Sequence, residues 1–407
     1  VSAKGTDVNL QRKTAERVMK ELGIGVIGAW GRGKLAHCAH QPENGSRVVA
    51  GADVYQPNLE QFKERYNGEV YTTDDYRDLL KRDEIDAVFV ASPDFLHEEH
   101  AVAALEAGKA VYLEKPMAIT IEGCDRLLRT AMDTGSKLYL GHNMRHFPAI
   151  LKMKEVIDSG MIGEVQAAWC RHFVSNGGDW YFKDWHSEQQ YSTGLLLQKG
   201  AHDIDVLHWL CGGYTQRVTG MGKLSVYNRC AKRSSDERGN PHPSEQAWPP
   251  LSNTGFSPNI DVEDHSMILM QLDNGVQANY MQCHYTPDSC RNYTFIGTKG
   301  RVENLGDHGA CKVIVYTDRS GTSLGPDVTY QLKPKQGSHG GSDPCIVNEF
   351  LEFVRTGVKT NTSPIAARFS VAAGVMGSES IRTGNDARDI PQLSPETIAY
   401  FENGQQR

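Results

Sequence analysis

No apolar run in the chain approaches the roughly 20 residues needed to cross a bilayer, so a membrane-spanning protein is not expected. Basic runs are missing too. The 43 lysines and arginines stand against 50 acidic residues, a formal net charge of −7, which gives no footing for nucleic acid. Nine cysteines are scattered without CxxC spacing, and an odd number cannot complete a disulfide framework. Reduced thiols in a cytoplasm are the simplest expectation. No group of His, Cys and carboxylates has metal-ligand spacing, so no metal is expected. The stretch Val1 to Lys20 is polar and charged, without a signal-peptide apolar region. At 407 residues the chain is long enough for two domains and a sizeable core.

The first pattern present is a strand, a tight turn and a helix start. Ile24 to Ile27 are apolar apart from Gly25 and run into Gly28-Ala29-Trp30-Gly31-Arg32-Gly33; a helix is expected from there to Gln41. A second strand, Arg47 to Ala52, ends at Asp53. An acidic residue about twenty positions beyond a glycine-rich strand–helix turn is the dinucleotide-binding arrangement. Glycines admit the pyrophosphate, the helix start offers free N–H groups, and Asp53 accepts from the ribose hydroxyls while repelling a 2′-phosphate. The spacing G-x-G-x-x-G is broken at Trp30: Gly28 and Gly33 hold the outer positions and Gly31 supplies a flexible site one residue late.

Strand-like segments continue at Ala87 to Ala91, Ala110 to Leu113 and Lys137 to Leu140, with helical segments at Asp75 to Lys81, Leu96 to Ala107 and Ile121 to Thr134. This alternation implies a parallel sheet. The loop Ala91-Ser92-Pro93-Asp94 then falls on its carboxyl edge, and His97 opens the next helix. The most informative stretch is Ala110 to Met117, where a buried strand ends in Glu114-Lys115-Pro116. Charges seldom close a buried strand without partners, and Pro116 holds Lys115 extended at the edge where cofactors and substrates sit.

Beyond Gly163 the pattern shifts to long strand-like runs: Val165 to Val174, Val218 to Tyr227, Val262 to Leu272, Val276 to His284 and Asn292 to Gly297. Asp273-Asn274-Gly275 is a hairpin turn. Helices are expected at Pro148 to Ser159, Asp343 to Gly357 and Pro364 to Thr383, the last two packing back on the first domain. Ser175 to Ser192 is an aromatic insertion carrying Trp180, Tyr181, Phe182, Trp185, His186 and Tyr191; rings there suit sugar faces as well as domain packing. Arg229 to Asn259 reads as a long surface loop, a lid or a subunit-exchange arm. Ser338 to Asp343 is a glycine-rich turn that brings His339 towards the pocket or is capped by Ser342.

Gly28 to Gly33, Asp53, Ser92-Pro93 with His97, and above all Glu114-Lys115-Pro116 resemble the Gfo/Idh/MocA oxidoreductases, NAD(P)-dependent enzymes acting mostly on sugars and cyclitols. Residues Gly194 to Asp205 resemble that family's second signature, a histidine on a helix of the C-terminal domain. The resemblance runs from about Gly23 to Gly384. It implies an α/β Rossmann dinucleotide-binding domain (23–143) and an α+β C-terminal domain (144–384) with a large, mostly antiparallel, open-faced sheet. Residues 1–22 are then an N-terminal extension and 385–407 a C-terminal tail. The cofactor implied is NAD, held by Gly28, Trp30, Gly31, Arg32, Gly33, Asp53, Ser92, Pro93, His97, Glu114 and Lys115. Asn143, Arg145, Trp180, Tyr181, Trp185, Gln198 and Asp203 are expected around a carbohydrate substrate. The sheet's open face implies a homodimer or homotetramer.

Oxidising a secondary alcohol requires a base for the hydroxyl proton and stabilisation of the alkoxide. His202 suits the base role, with Lys115 sharing or relaying the proton and Lys199 beside it. Asp205, three residues on, is expected to orient His202. Cyclitol dehydrogenases of the family usually carry an aspartate four residues before the histidine; here Gln198 stands there, which weakens an inositol reading. The leading reading is an NAD-dependent sugar dehydrogenase acting on a ring hydroxyl, C3 first. The alternative is an NAD-dependent glycosidase working by transient oxidation, elimination, hydration and re-reduction, with Tyr181 or Tyr191 as a further base. A nucleotide-bound sensor is disfavoured, because both catalytic signatures are present.

Overall fold

The computed structural model describes residues 21–239, 248–307, 310–319, 325–333 and 337–406. The expected N-terminal extension therefore lies almost wholly outside the described residues, as do residues 240–247 of the long surface loop.

Among the described residues the first half builds a six-stranded parallel sheet from β1 (Leu22–Ile27), β2 (Ser46–Ala52), β3 (Tyr71–Thr73), β4 (Ala87–Val90), β5 (Ala110–Leu113) and β6 (Leu138–Leu140), in the order β3-β2-β1-β4-β5-β6. β1, β4, β5 and β6 are buried along their whole lengths, as strands covered on both faces must be. The strand order reverses between β1 and β4, and their carboxyl ends open a crevice there. The helix expected after the glycine turn is instead a run of 3₁₀ turns, Gly31–Ala39. It starts from a left-handed Gly31 (φ 56°), and glycines and histidines favour the α-helix weakly. Helix Ile121–Thr134 is better specified: Thr120 caps it, Ile121, Leu127, Leu128 and Ala131 face the core, and left-handed Gly135 ends it.

Helix Ser342–Thr356 packs back as expected, with Phe350 5.3–5.6 Å from the rings of Phe89, Tyr112 and Tyr139. Ser342 does not cap it. Its hydroxyl donates to the His339 carbonyl, and left-handed Gly341 stands at the cap position. Helix Pro364–Arg382 spans both halves, lying against helix Ile121–Thr134 on one side and helix Gly200–Cys211 on the other.

The second sheet comprises β7 (Val165–Phe173), β8 (Thr215–Lys223), β9 (His265–Leu272), β10 (Gln277–Cys283), β11 (Cys290–Gly297), β12 (Arg301–Leu305), β13 (Lys312–Tyr316), β14 (Val328–Gln331) and β15 (Arg388–Asp389). Its order is β14-β13-β12-β11-β7-β10-β9-β8-β15, antiparallel except for β7 with β10. Left-handed Gly275 (φ 88°) closes the expected hairpin between β9 and β10. β8 stops at Lys223 rather than Tyr227, and β9 starts at His265 rather than Val262. The cause is Asp264, whose carboxylate accepts from the backbone N–H groups of Ser225, Val226 and Tyr227 and bends the chain out of the sheet. Helices Pro148–Asp158, Gly200–Cys211 and Pro364–Arg382 cover one face. On the other, Met221, Met267 and Leu269 are 63, 45 and 61% exposed.

Residues 385–406 are not a loose tail. β15 extends the second sheet, and helix Pro395–Glu402 follows it. The Gln405 amide then accepts from Leu138 N and donates to Leu138 O, at 2.8 and 2.7 Å, on the edge strand β6. Among the described residues no helix is long and apolar enough to cross a membrane.

Arg145, just after β6, is buried with its guanidinium on both carboxylate oxygens of Asp205 at 2.7 Å, and His142 Nδ1 lies 2.9 Å from the same carboxylate. Asp205 is therefore engaged with Arg145 and His142 and does not orient His202, correcting that expectation. Burial disfavours the Asp205 anion, but the Arg145 guanidinium and His142 outweigh it and hold the carboxyl well below the usual range. Removing one partner leaves a buried unpaired charge. Asp205→Ala is expected to lower unfolding stability by about 3–5 kcal/mol. A urea midpoint matching the parent protein at equal slope would refute the pair's role as a lock between the halves.

Candidate active site

A cleft of about 500 Å³ opens over the carboxyl ends of β1, β4 and β5, bordered by the glycine turn, Asp53, the Ala91–Asp94 loop, Lys115, Trp185 and Gln198. The turn is built for close approach. Gly28 has φ 84°, and a Cβ there would sit 2.7 Å from the Ala91 carbonyl. A Cβ at Gly33 would collide with the Gly28 oxygen at 1.9 Å, while Gly31 faces open space. Trp30 borders the same cleft, with Lys34 Nζ 3.1 Å above its ring. Asp53 accepts from Ala29 N and from Asn58 Nδ2, each at 3.1 Å, which ties the glycine turn to the end of β2. Tyr55 and Asn58 border the cleft beside it, and Arg238 of the long surface loop lies 4.1 Å over the Tyr55 ring.

His97 is buried, with Nδ1 2.7 Å from Pro116 O and Nε2 2.9 Å from Ser92 O, so it staples the two loops that border the cleft. Arg32 lies with its guanidinium on Glu114 at 2.8 Å and on Asp343 at 3.1 Å. Asn143 donates to the same Asp343 at 3.2 Å, and His339 Nδ1 lies 2.9 Å from it. Glu114 in turn accepts from Lys115 N at 3.1 Å. This network, anchored on the buried carboxylates of Glu114 and Asp343, fixes the strand end that carries Lys115. It also accounts for Asn143, expected beside the substrate but held by Asp343.

Lys115 Nζ crosses to the second half and donates to the Gln198 carbonyl at 3.1 Å. Burial, then the Lys199 ammonium, pushes its pKa down to about 8, against the pull of Asp94 and Tyr181. Lys199 stands at the start of helix Gly200–Cys211 with its ammonium 4.6 Å over the Tyr181 ring. Burial, then Arg291, pushes it down to about 7. Tyr181 rises to about 12 through burial, opposed by Lys115. His202 sits one turn along the helix, its ring 6.1 Å from that of His142, and its Nδ1 has no hydrogen-bond partner among the described residues. Burial, then the Lys115 charge and His142, holds it well below the ordinary histidine range.

Arg145 and Asp203, both expected at the substrate, are turned elsewhere. Arg145 is locked to Asp205. Asp203 is fully buried against the sheet, 3.0 Å from Arg291 Nε and 3.0 Å from His172 Nδ1, and it accepts from the Tyr293 hydroxyl. Burial opposes its ionisation, yet Arg291 and His172 keep it charged. In the aromatic insertion, Trp185 and Tyr191 pack on Phe95 of the first domain at 5.7 and 4.9 Å, and Trp180 is 39% exposed and does not border the cleft. Val54, Tyr55, Asn58, Asp184 and Arg238 also border the cleft and were not singled out from the sequence. Asp94 and His186 were named there only as members of the Ala91–Asp94 loop and of the aromatic insertion, and both reach the cleft.

The family model described as "Oxidoreductase family, NAD-binding Rossmann fold" matches residues 22–142, and the GFO/IDH/MocA C-terminal domain matches 150–303. YteT of Bacillus subtilis (strain 168), classed as an oxidoreductase, is 25% identical over 384 residues, 82% of this chain and 86% of that protein. The 2,7-anhydro-N-acetylneuraminate hydratase of Mediterraneibacter gnavus is 31% identical over 50% of this chain and 53% of its own length. An inositol 2-dehydrogenase/D-chiro-inositol 3-dehydrogenase of Halalkalibacterium halodurans is 34% identical over 46 and 52%, respectively. The chain thus spans about half the length of these last two relatives. A levoglucosan dehydrogenase solved with NADH and levoglucosan superposes with a TM-score of 0.75 at 18% identity, covering 91% of this chain and 100% of that one. The two family matches follow one another along the chain, over the parallel sheet and then over β7 to β11 of the mixed one. The protein is a member of the GFO/IDH/MocA family of NAD-binding oxidoreductases.

Proposed function

We propose that the protein is an NAD-dependent dehydrogenase that oxidises a ring hydroxyl of a sugar or sugar derivative, C3 being the carbon expected from the family resemblance. The observation that carries this reading is Lys115: an amine fixed at the carboxyl edge of β5, bordering the cleft, with a pKa near 8. The residues of the cleft fit the cofactor, since the glycine turn leaves a cradle that a Cβ at Gly33 could not share and Asp53 stands beside it. NAD, when bound, supplies the hydride acceptor. The chain supplies the rest.

A base works best with its pKa near the working pH, which points to Lys115 rather than His202 as the proton acceptor. His202, held neutral by burial among cations, serves as a hydrogen-bonding group for the reacting oxygen. Neutral Lys115 takes the hydroxyl proton, and its N–H groups then hold the developing negative charge.

The redox-neutral alternative is favoured by one feature, the Lys199–Tyr181 pair. An amine with a pKa near 7 stacked on a phenol offers a second acid–base site for removing a C–H proton beside a transient ketone. One relative is named as a hydratase of a sugar derivative, and hydration is one step of this cycle. The exposed Met221, Met267 and Leu269 support assembly of copies through the open face of the second sheet.

Purified protein with NAD⁺ should form NADH stoichiometrically with a free sugar or cyclitol; aglycone release from aryl glycosides without net NADH would instead establish the redox-neutral cycle. Lys115→Met should lower kcat about 10²–10⁴-fold with NAD affinity retained; an unchanged rate would remove Lys115 from the chemistry. The neutral fraction of Lys115 grows as pH passes about 8, so kcat/KM for oxidation should climb to that pH and level off, while carbonyl reduction, which needs the ammonium, falls over the same interval. Leu269→Lys should lower the mass seen by light scattering to that of one chain; an unaltered mass would place the interface elsewhere.

A further inference from the structure

Two acceptor atoms at the seam between the sheets have nothing to accept from. Asp94, at the start of the short turn Asp94–Leu96 after β4, is 6% exposed, and Gln198, at the end of helix Leu195–Gln198, is also 6% exposed. Both border the cleft, and Asp94 Oδ2 and Gln198 Oε1 each lack a hydrogen-bond partner among the described residues. A buried carboxylate oxygen or amide carbonyl without a donor is costly, and proteins keep few of them. The cost is recovered where a ligand brings the donors.

The surroundings say which kind of donor. Lys115 is already held on the Gln198 backbone carbonyl, and Trp185, its ring stacked on His186 at 3.6 Å, borders the same cleft. Burial is the largest influence on the Asp94 carboxyl and pushes its pKa up, against the charges of His97, Lys115 and His186 and a hydrogen bond from the Gln198 side chain. An anionic ligand group would bring neither acceptor a donor. An apolar one would leave both acceptors stranded. Neutral hydroxyl donors on a ring with one flat face satisfy the acceptors and the aromatic wall together.

We propose that Asp94 and Gln198 form a two-acceptor subsite that binds a pair of neighbouring substrate hydroxyls, with Asp94 the residue that fixes which hydroxyl pattern is accepted. The proposal rests on the sugar dehydrogenase reading and adds the specificity determinant. Sites built to hydrogen-bond a hydroxyl reject analogues lacking it strongly, because buried polar groups are left unpaired.

The test uses the full chain loaded with NADH, so that alcohols bind without turnover, and isothermal titration with D-glucose, myo-inositol, levoglucosan and their monodeoxy analogues. Asp94→Asn should weaken the polyol that binds by about tenfold to a hundredfold, as expected when a buried hydrogen bond is left unmade. The loss should vanish for the one deoxy analogue that lacks the hydroxyl in question. Equal binding by the variant overturns the proposal and leaves the dehydrogenase reading intact. A matching loss in NADH affinity would assign Asp94 to the cofactor ribose and overturn it as well. If none of the polyols binds the parent protein, both fall together. Should Asp94→Asn fail to fold, Gln198→Leu, which removes the companion acceptor, carries the same expectations.

Discussion

An ammonium partly withdrawn from water has to be balanced from several sides at once, and the half-buried Lys115 imposes that condition on both halves of the molecule. The first half supplies the strand that carries it, with Glu114 on its backbone and Asp94 alongside. The second supplies the Gln198 carbonyl and, against it, the charge of Lys199. Neither half alone makes an amine of intermediate basicity. The seam between the sheets is thus a chemical requirement as well as a packing surface.

Buried ion pairs hold that seam in register. Arg32 joins the glycine turn to Glu114 and to Asp343 of a helix more than three hundred residues later. Arg145 joins the exit of β6 to Asp205, two positions beyond Asp203, whose own charge is satisfied from β11 by Arg291. Alternate faces of one helical segment are therefore clamped in opposite directions, Asp205 towards the first half and Asp203 towards the second sheet. His202, between them in sequence, is left with a free ring nitrogen. A pair of this kind contributes little net stability compared with an apolar replacement, but it admits one arrangement of its partners.

What could be read from the sequence was local. The strand, glycine turn and Asp53 lie within thirty residues and are bound by contacts of that range, and Glu114-Lys115-Pro116 declares itself by placing charge where a buried strand ends. The misreadings concern partners far apart in the chain. Arg145 and Asp203 look like site residues because they flank signature motifs, yet their charges are spent on Asp205 and Arg291, 60 and 88 residues away, a pairing no spacing rule encodes. Asp205 stands on the correct turn to reach His202 and prefers a guanidinium. β8 loses its last residues to the side chain of Asp264, which only the folded hairpin brings near. β12 to β14 are short and partly exposed, and their weak alternation gave no signal until the neighbouring strands were in place.

β6 is the outer strand of the parallel sheet, with backbone groups facing away from β5 that a second chain could pair with. The Gln405 side chain supplies one donor and one acceptor to Leu138, an amide standing in for the next strand. Because a single side chain ends the ladder instead of continuing it, the sheet stops growing at six strands. The C-terminal residues thus act as a stopper against edge-to-edge association, a hazard that every open parallel sheet carries.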